Sequence, residues 1–253
     1  MNWTGLYTLY RKETLRFLKV YLQTLLAPIV TTLLYLIVFS HVLSGRKEVF
    51  EGTSYVAFLV PGLVMMSVLQ NAFANSSSSL IQSKVTGNIL FVLVTPLTYL
   101  EIFLAFTAAA ITRGILVGAG VLASALLFTS VTVDHPAVVI VFTILGSGIL
   151  AVLGIIAGIW AEKFDQVAGF TNFIIVPLSF LSGVFYSIHS LPDFWQQLSV
   201  YNPFFYVIDG FRFGFFGQSD VDIRLSLAVV CAVFAALSLF TLALLKSGYR
   251  LRS

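Results

Sequence analysis

Charge is scarce in this chain: only 10% of its 253 residues are Asp, Glu, Lys or Arg, where soluble proteins carry roughly 25%. Hydrophobic residues make up 58%, so a soluble domain is excluded and the chain reads as a polytopic membrane protein. Cysteine is nearly absent. The single Cys231 lies inside the last apolar run, which excludes an intrachain disulfide framework and leaves a small hydrophobe. Histidine is also rare: His41, His135 and His189 fall at the ends of three different apolar runs, with no pair at i,i+4 and no His-Glu motif, so they do not form a zinc pattern. No glycine-rich P-loop occurs, so an ATPase within this chain is not expected. Gly146-Ser147-Gly148 is a weak match to a nucleophile turn and has no histidine at its depth. The small residues Gly146, Ser147, Gly148, Gly154 and Gly158 read as a helix-packing stripe. The expectation is a protein that is not an enzyme.

What the chain does have is long apolar runs. Six of them reach membrane length, at 22–43, 55–75, 99–129, 137–160, 167–187 and 225–245. They fill one domain, 1–253, and leave no room for a soluble nucleotide-binding domain. The first run is longer than the core of a signal peptide and has no small-residue cleavage pattern, so it reads as a retained anchor. With the N-terminus inside, Arg11, Lys12, Arg16, Lys19, Lys84, Lys163, Lys246, Arg250 and Arg252 are cytoplasmic, and Arg46, Lys47, Arg212 and Arg224 face outward. Both termini are then cytoplasmic. The net charge of +3 follows from this bias and gives no reason to invoke nucleic acid.

Residues 1–20 have the pattern of an interfacial helix. Leu6, Leu9, Tyr10, Phe17 and Val20 share one face, and Arg11, Lys12, Arg16 and Lys19 share the other. The basic face suits anionic lipid. Glu13 falls on the apolar face, where a carboxylate needs a partner, so that face either lies on lipid or docks on a protein or a neighbouring helix.

Between the second and third runs, Ser76-Ser77-Ser78-Ser79 ends a span, Gly87-Asn88 marks a turn, and Thr95-Pro96 opens the next helix. A short helix remains over 81–94. Its apolar Ile89, Leu90, Phe91, Val92 and Leu93 either pack on the bundle or fill the groove of a soluble partner.

The stretch 190–224 is too apolar for a solvated loop and too interrupted, by Pro192, Pro203, Asp209 and Arg212, for a simple span. It fits a segment folded back into one leaflet, over 190–217, where irregular backbone is tolerated only against protein or a water-filled cavity. Asp209 and Arg212 are spaced for a local ion pair, or for one that changes partners when a cap opens. Tyr186, Trp195, Tyr201 and Tyr206 read as an interfacial aromatic belt. Arg113, the one charge inside a run, either is satisfied by Gln70 or Asn71 of the second run or contacts an anionic substrate group.

Several of these motifs together resemble a known family. Leu178-Ser179-Phe180-Leu181-Ser182-Gly183-Val184-Phe185-Tyr186-Ser187, Leu191-Pro192, Asn202-Pro203-Phe204-Phe205-Tyr206 and Gly210-Phe211-Arg212 resemble the signature of ABC-2 type exporter permeases, most closely the branch of YadH-like bacterial permeases. Val60-Pro61-Gly62-Leu63, Thr95-Pro96-Leu97 and Leu251-Arg252-Ser253 extend the resemblance over essentially the whole chain.

The resemblance implies an all-α fold with six transmembrane helices, an N-terminal interfacial helix, a cytoplasmic coupling helix and an outward re-entrant hairpin before the last span. It implies a bacterial inner-membrane homodimer that binds two copies of a separate ATPase subunit. That subunit holds ATP and Mg, this chain binds no cofactor, and the cargo is amphiphilic or lipid-like. By the same likeness, Lys84, Val85, Thr86, Gly87, Asn88, Ile89, Leu90, Phe91 and Leu93, together with Glu13, belong to the ATPase contact. Arg113, Pro192, Asn202, Pro203, Asp209 and Arg212 belong to the path or its gate. Many relatives carry an acidic residue just after Gly-x-Ile, whereas here Ile89 is followed by Leu90 and Phe91. The alternative function is an ion-coupled carrier, which calls for carboxylates near the midplane and inverted repeats; the acidic residues nearest the runs, Glu101, Glu162 and Asp165, lie at their boundaries, and no repeat is visible.

Overall fold

Our computed structural model describes residues 1–42 and 53–250. Arg46 and Lys47 of the charge bias and the motif at 251–253 lie outside the described residues. Helix α1, Trp3–Leu18, starts where the Asn2 side chain accepts the Gly5 N–H. A π-helical turn, Leu22–Leu26, leads into α2, Ala27–Val42. Helix α3, Tyr55–Val85, has 31 residues, which at 1.5 Å per residue gives about 46 Å, well beyond the ~30 Å of a bilayer's hydrocarbon core.

The serine run does not end this span, contrary to expectation. Ser77 returns its hydroxyl to the Phe73 carbonyl at 2.8 Å, so the helix loses no backbone bond. Small serines are needed there because α6, Pro136–Trp160, crosses at this point. A Cβ at Gly154 of α6 would lie 2.5 Å from the Phe73 carbonyl oxygen, and one at Gly158 would lie 2.6 Å from the Leu80 Cβ. The glycines of α6 thus form the seam expected of a small-residue stripe, with Gly146 against Met65 and Val207 and Gly148 against Phe234.

The helix expected over 81–94 is two pieces. Its first part is the end of α3. After a break with Gly87 at φ +73°, α4 spans only Ile89–Val94. Helix α5, Tyr99–Ala125, begins at Thr98 rather than at Thr95-Pro96, because Thr98 and Glu101 form a reciprocal cap.

Five helical segments are long and apolar enough to cross a membrane among the described residues: 22–39, α3, α5, α6 and α11, Ile223–Ser247. The run expected as a fifth span is instead broken. It comprises α7, Phe164–Phe170, a π-helical turn, Thr171–Ile175, and α8, Val176–Phe180. Pro177 cannot donate to the preceding turn, which explains the widened backbone before it. From Leu181 the chain turns, with Gly183 at φ +77°. Two further helices follow, α9, Asp193–Val200, and α10, Pro203–Phe216, which Gly217 ends in the left-handed conformation.

The core forms around α3, against α5, α6 and α10. Its most apolar window is 83% buried, compared with 17% for the 22–39 segment and 11% for α11, so the last two are peripheral. Cys231 is exposed on α11 rather than packed inside.

Gly154→Ala should therefore overpack a seam whose neighbour is backbone, lowering stability by about 1–3 kcal/mol. Gly169→Ala, with open space around the added Cβ, should leave the melting temperature of the detergent-solubilised protein unchanged or raised. Equal loss in both variants would contradict this packing.

Candidate functional site

Two polar constellations stand at opposite ends of α3. At the Val85 end, α4 projects from the bundle. Ile89 is buried with Leu80 and Phe103, and Leu93 packs against the same cluster. Leu90 is exposed, Phe91 is 74% exposed and Val94 is 84% exposed. Val85, Thr86, Gly87 and Asn88 are exposed around the break, and nothing lies within 4 Å of a Cβ built at Gly87. An uncovered apolar knob on a short helix is the local form of a docking handle.

Lys84 does not join that exposed surface. Its Nζ donates to the carbonyls of Ile159 at 2.8 Å and Ala161 at 2.6 Å. Arg250 donates to the Trp160 carbonyl at 3.0 Å. Cations thus satisfy the carbonyl end of α6 and lock it to α3.

Beside the handle, α1 packs on α5 and α3. Glu13 is fully buried. It accepts from Arg16 Nε at 3.2 Å and from the Ser79 hydroxyl, with Lys12 at 3.4 Å. Arg16 also donates to the Asn75 carbonyl at 2.7 Å. The carboxylate on the apolar face is therefore answered by a neighbouring helix. Helix α1 ends before Val20, which is exposed, and Arg16 turns inward from the supposed basic face.

Arg113 is held one turn further along. Its Nη2 donates to Asn71 Oδ1 at 3.0 Å, and the Asn71 amide is fixed by the Ser67 carbonyl at 3.0 Å. Of the two partners considered from sequence, Asn71 makes the bond.

At the Tyr55 end, the chain between α8 and α9 leaves carbonyls that no helix satisfies, and side chains answer them. Asn202 Nδ2 donates to Leu178 at 2.7 Å, Tyr186 Oη to Phe180 at 3.1 Å, Arg212 Nη2 to Gly183 at 2.7 Å and Tyr55 Oη to Phe185 at 2.8 Å. The expected ion pair between Asp209 and Arg212 is not formed. Arg212, 1% exposed, instead stacks over the Phe58 ring at 3.9 Å. Asp209 accepts the N–H groups of Asp220 at 2.7 Å and Val221 at 3.3 Å. Asp220 in turn takes the Ser187 hydroxyl at 2.7 Å and the Ile188 N–H at 2.8 Å. The i,i+3 spacing gave a pair, but the stronger demand came from unpaired backbone.

Pro192 opens α9 and Pro203 is the first residue of α10, where neither removes a helical bond. Of the aromatic belt, Trp195 and Tyr201 are exposed, but Tyr206 is buried in the core. His189 lies 3.2 Å from the Asp220 carbonyl, and the His135 ring stacks on Phe213. Sequence reasoning missed Tyr55, Gly183 as an acceptor, and Asp220. The signal available for Asp220 was a polar, turn-forming Gln218-Ser219-Asp220 after the Gly217 stop.

The model of the ABC-2 type transporter family matches residues 4–216. The chain belongs to that family. Among its relatives, the inner membrane transport permease YadH of Escherichia coli strain K12 is 37% identical over 253 residues, 100% of this chain and 99% of that protein. Nodulation protein J of Rhizobium leguminosarum bv. viciae is 27% identical over 252 residues, 97% and 94% of the two chains. This ABC-2 chain is thus a multi-pass inner-membrane transport subunit and not a catalytic one.

Asp220, with the Ser187 hydroxyl and the Ile188 N–H, forms a latch whose removal should loosen the Tyr55 end alone. Asp220→Ala leaves the Ile188 N–H without its acceptor, a loss of about 1–3 kcal/mol. Limited proteolysis of proteoliposomes should then cut within 187–201 faster than in the native protein. Unchanged cleavage would show that the latch does not hold this segment.

Proposed function

We propose that this chain is the passive membrane half of an ATP-driven exporter, moved by a separate ATP-binding subunit and exporting an amphiphilic or lipid-like cargo. The observation that carries this reading is α4, with Leu90, Phe91 and Val94 uncovered beyond the end of a 31-residue helix. A soluble subunit that buries these residues would gain affinity by the hydrophobic effect. In this reading ATP and Mg reside in that subunit, one copy on each of two permease chains.

The mechanism is a lever. Closure of two ATPase subunits displaces the α4 handles, and differential affinity for the two permease states is what lets ATP binding bias them. Helix α3 is continuous from Tyr55 to Val85 and seamed to α6, so it carries the displacement to the latch rather than absorbing it. Because Lys84 ties α3 to α6, those two helices move as one. The cap over the outward end is then α9, whose Phe194 and Trp195 are exposed, while α10 stays in the core. The faces of 22–39 and α11 left open within one chain suit a second copy and lipid.

In this topology both termini and α4 are cytoplasmic, and 167–187 serves as a broken fifth membrane segment followed by a re-entrant pair. The carrier alternative is weakened by the three buried carboxylates of the described residues, since Glu13, Glu101 and Asp209 are each occupied by structural partners.

Leu90→Asp with Phe91→Asp should abolish co-purification of the ATPase subunit and ATP-dependent export. The melting temperature should be retained, because both side chains are already exposed. Export that survives the double variant, or that runs on an ion gradient without the subunit, would refute the reading.

A further inference from the structure

Two hollows meet on α1 at the handle end. One, of about 800 Å³, lies between α1, the last turns of α3 and the 86–97 stretch. The other, of about 490 Å³, follows the outer flank of α1. Thr8, Lys12 and Arg16 line both, so they form one continuous site.

The sign of its charge is unambiguous. Arg11, Lys12, Arg16 and Lys19 line the flank, and no carboxylate lines either hollow. Behind the lining, Glu13 faces into α3 and is shared by Lys12, Arg16 and Ser79, and Glu101 is taken up by the N–H groups of Asn2 and Thr98. A further guanidinium follows. Arg16 donates to Asn75 and Arg113 to Asn71, acceptors one turn apart on α3, and Arg113 has no ion pair among the described residues. Cations that outnumber their acids at a membrane boundary attract an anion, and guanidinium and ammonium donors suit phosphate oxygens. Leu9, Phe91, Val92 and Leu97 add an apolar wall to the larger hollow. A free inorganic anion would leave that wall unfilled.

We propose that this hollow binds the phosphate-bearing headgroup of an amphiphile, with Lys12 and Arg16 on the phosphate and the apolar chain against Leu9, Val92 and Leu97. The site deepens the exporter reading by giving the headgroup chemistry of the bound molecule. It rests on that reading only for whether that molecule is moved.

Lys12 is the residue to test, because it pairs with Glu13 at 3.4 Å while its side chain stays half exposed, whereas Arg16 is knitted into α3. The full chain in phosphatidylcholine nanodiscs, with its ATPase subunit, is titrated with short-chain phosphatidic acid, short-chain diacylglycerol or inorganic phosphate, and binding is read by native mass spectrometry. Saturable binding of phosphatidic acid is expected. It should weaken at least tenfold in Lys12→Glu and by less in Lys12→Gln, with the melting temperature and ATPase retention unchanged. Equal binding of diacylglycerol would overturn the proposal, as would inorganic phosphate competing as well as phosphatidic acid, or unaltered affinity in both variants. Loss of the ATPase subunit from Lys12→Glu with phosphatidic acid still bound would assign the hollow to protein docking instead, and so overturn it. Phosphatidic acid retained through ATP turnover marks a resident lipid, and its appearance in the opposite leaflet marks cargo; either outcome supports the site. If export runs on an ion gradient without the ATPase subunit while the native chain still binds phosphatidic acid, the exporter reading fails and the headgroup site stands.

Discussion

Where α8 stops at Phe180, the chain is still surrounded by apolar side chains, and every carbonyl it leaves unpaired must find a donor or cost several kcal/mol. Four donors meet that demand: Asn202, Tyr186, Arg212 and Tyr55. Three of them come from elements far along the chain from the turn they satisfy or from the opposite side of it. The need to satisfy one short stretch of backbone therefore fixes α3, α8 and α10 relative to one another. It also explains why a guanidinium is tolerated in full burial, where the Phe58 ring and the Gly183 carbonyl share it.

The other end of α3 obeys a different economy. There, helices meet through missing side chains as well as through polar donors, with Gly154 and Gly158 admitting Phe73, Ser76 and Leu80. Cationic caps from Lys84 and Arg250 close the exposed carbonyls of α6. A rod anchored polar at one end and seamed tightly at the other is stiff along its length. Such stiffness is what a subunit without an ATPase needs if displacement at α4 is to reach α9.

Much of this was legible in the sequence, and the failures have a common cause. Length and charge gaps gave α2, α3, α5, α6 and α11, because a bilayer imposes both. Glycines of α6 could be read as a seam, since small residues at helical spacing have few other uses in lipid. The handle was visible as an apolar excess at Ile89–Val94. What could not be read was which partner a polar residue takes. Ser76–Ser79 ended a span on composition, yet they continue it because α6 and Glu13 lie opposite. Asp209 and Arg212 matched each other locally, yet each serves a more distant group. The break in 164–180 was signalled by Pro177 and Gly183, but a hydropathy window averages over both. Spacing reports neighbours on one helix, whereas satisfaction of buried polar groups is decided between helices.

In the proposed exporter, α3 and the Asp220 latch move together as a unit when the ATPase subunits close. Spin labels at Val85 and Tyr201, both exposed, allow the distance within one subunit and the Tyr201-to-Tyr201 distance between two copies to be followed by double electron–electron resonance in the complex, with and without ATP. The within-subunit distance should hold constant while the between-copy distance shifts. A within-subunit distance that changes as much as the other would contradict the lever.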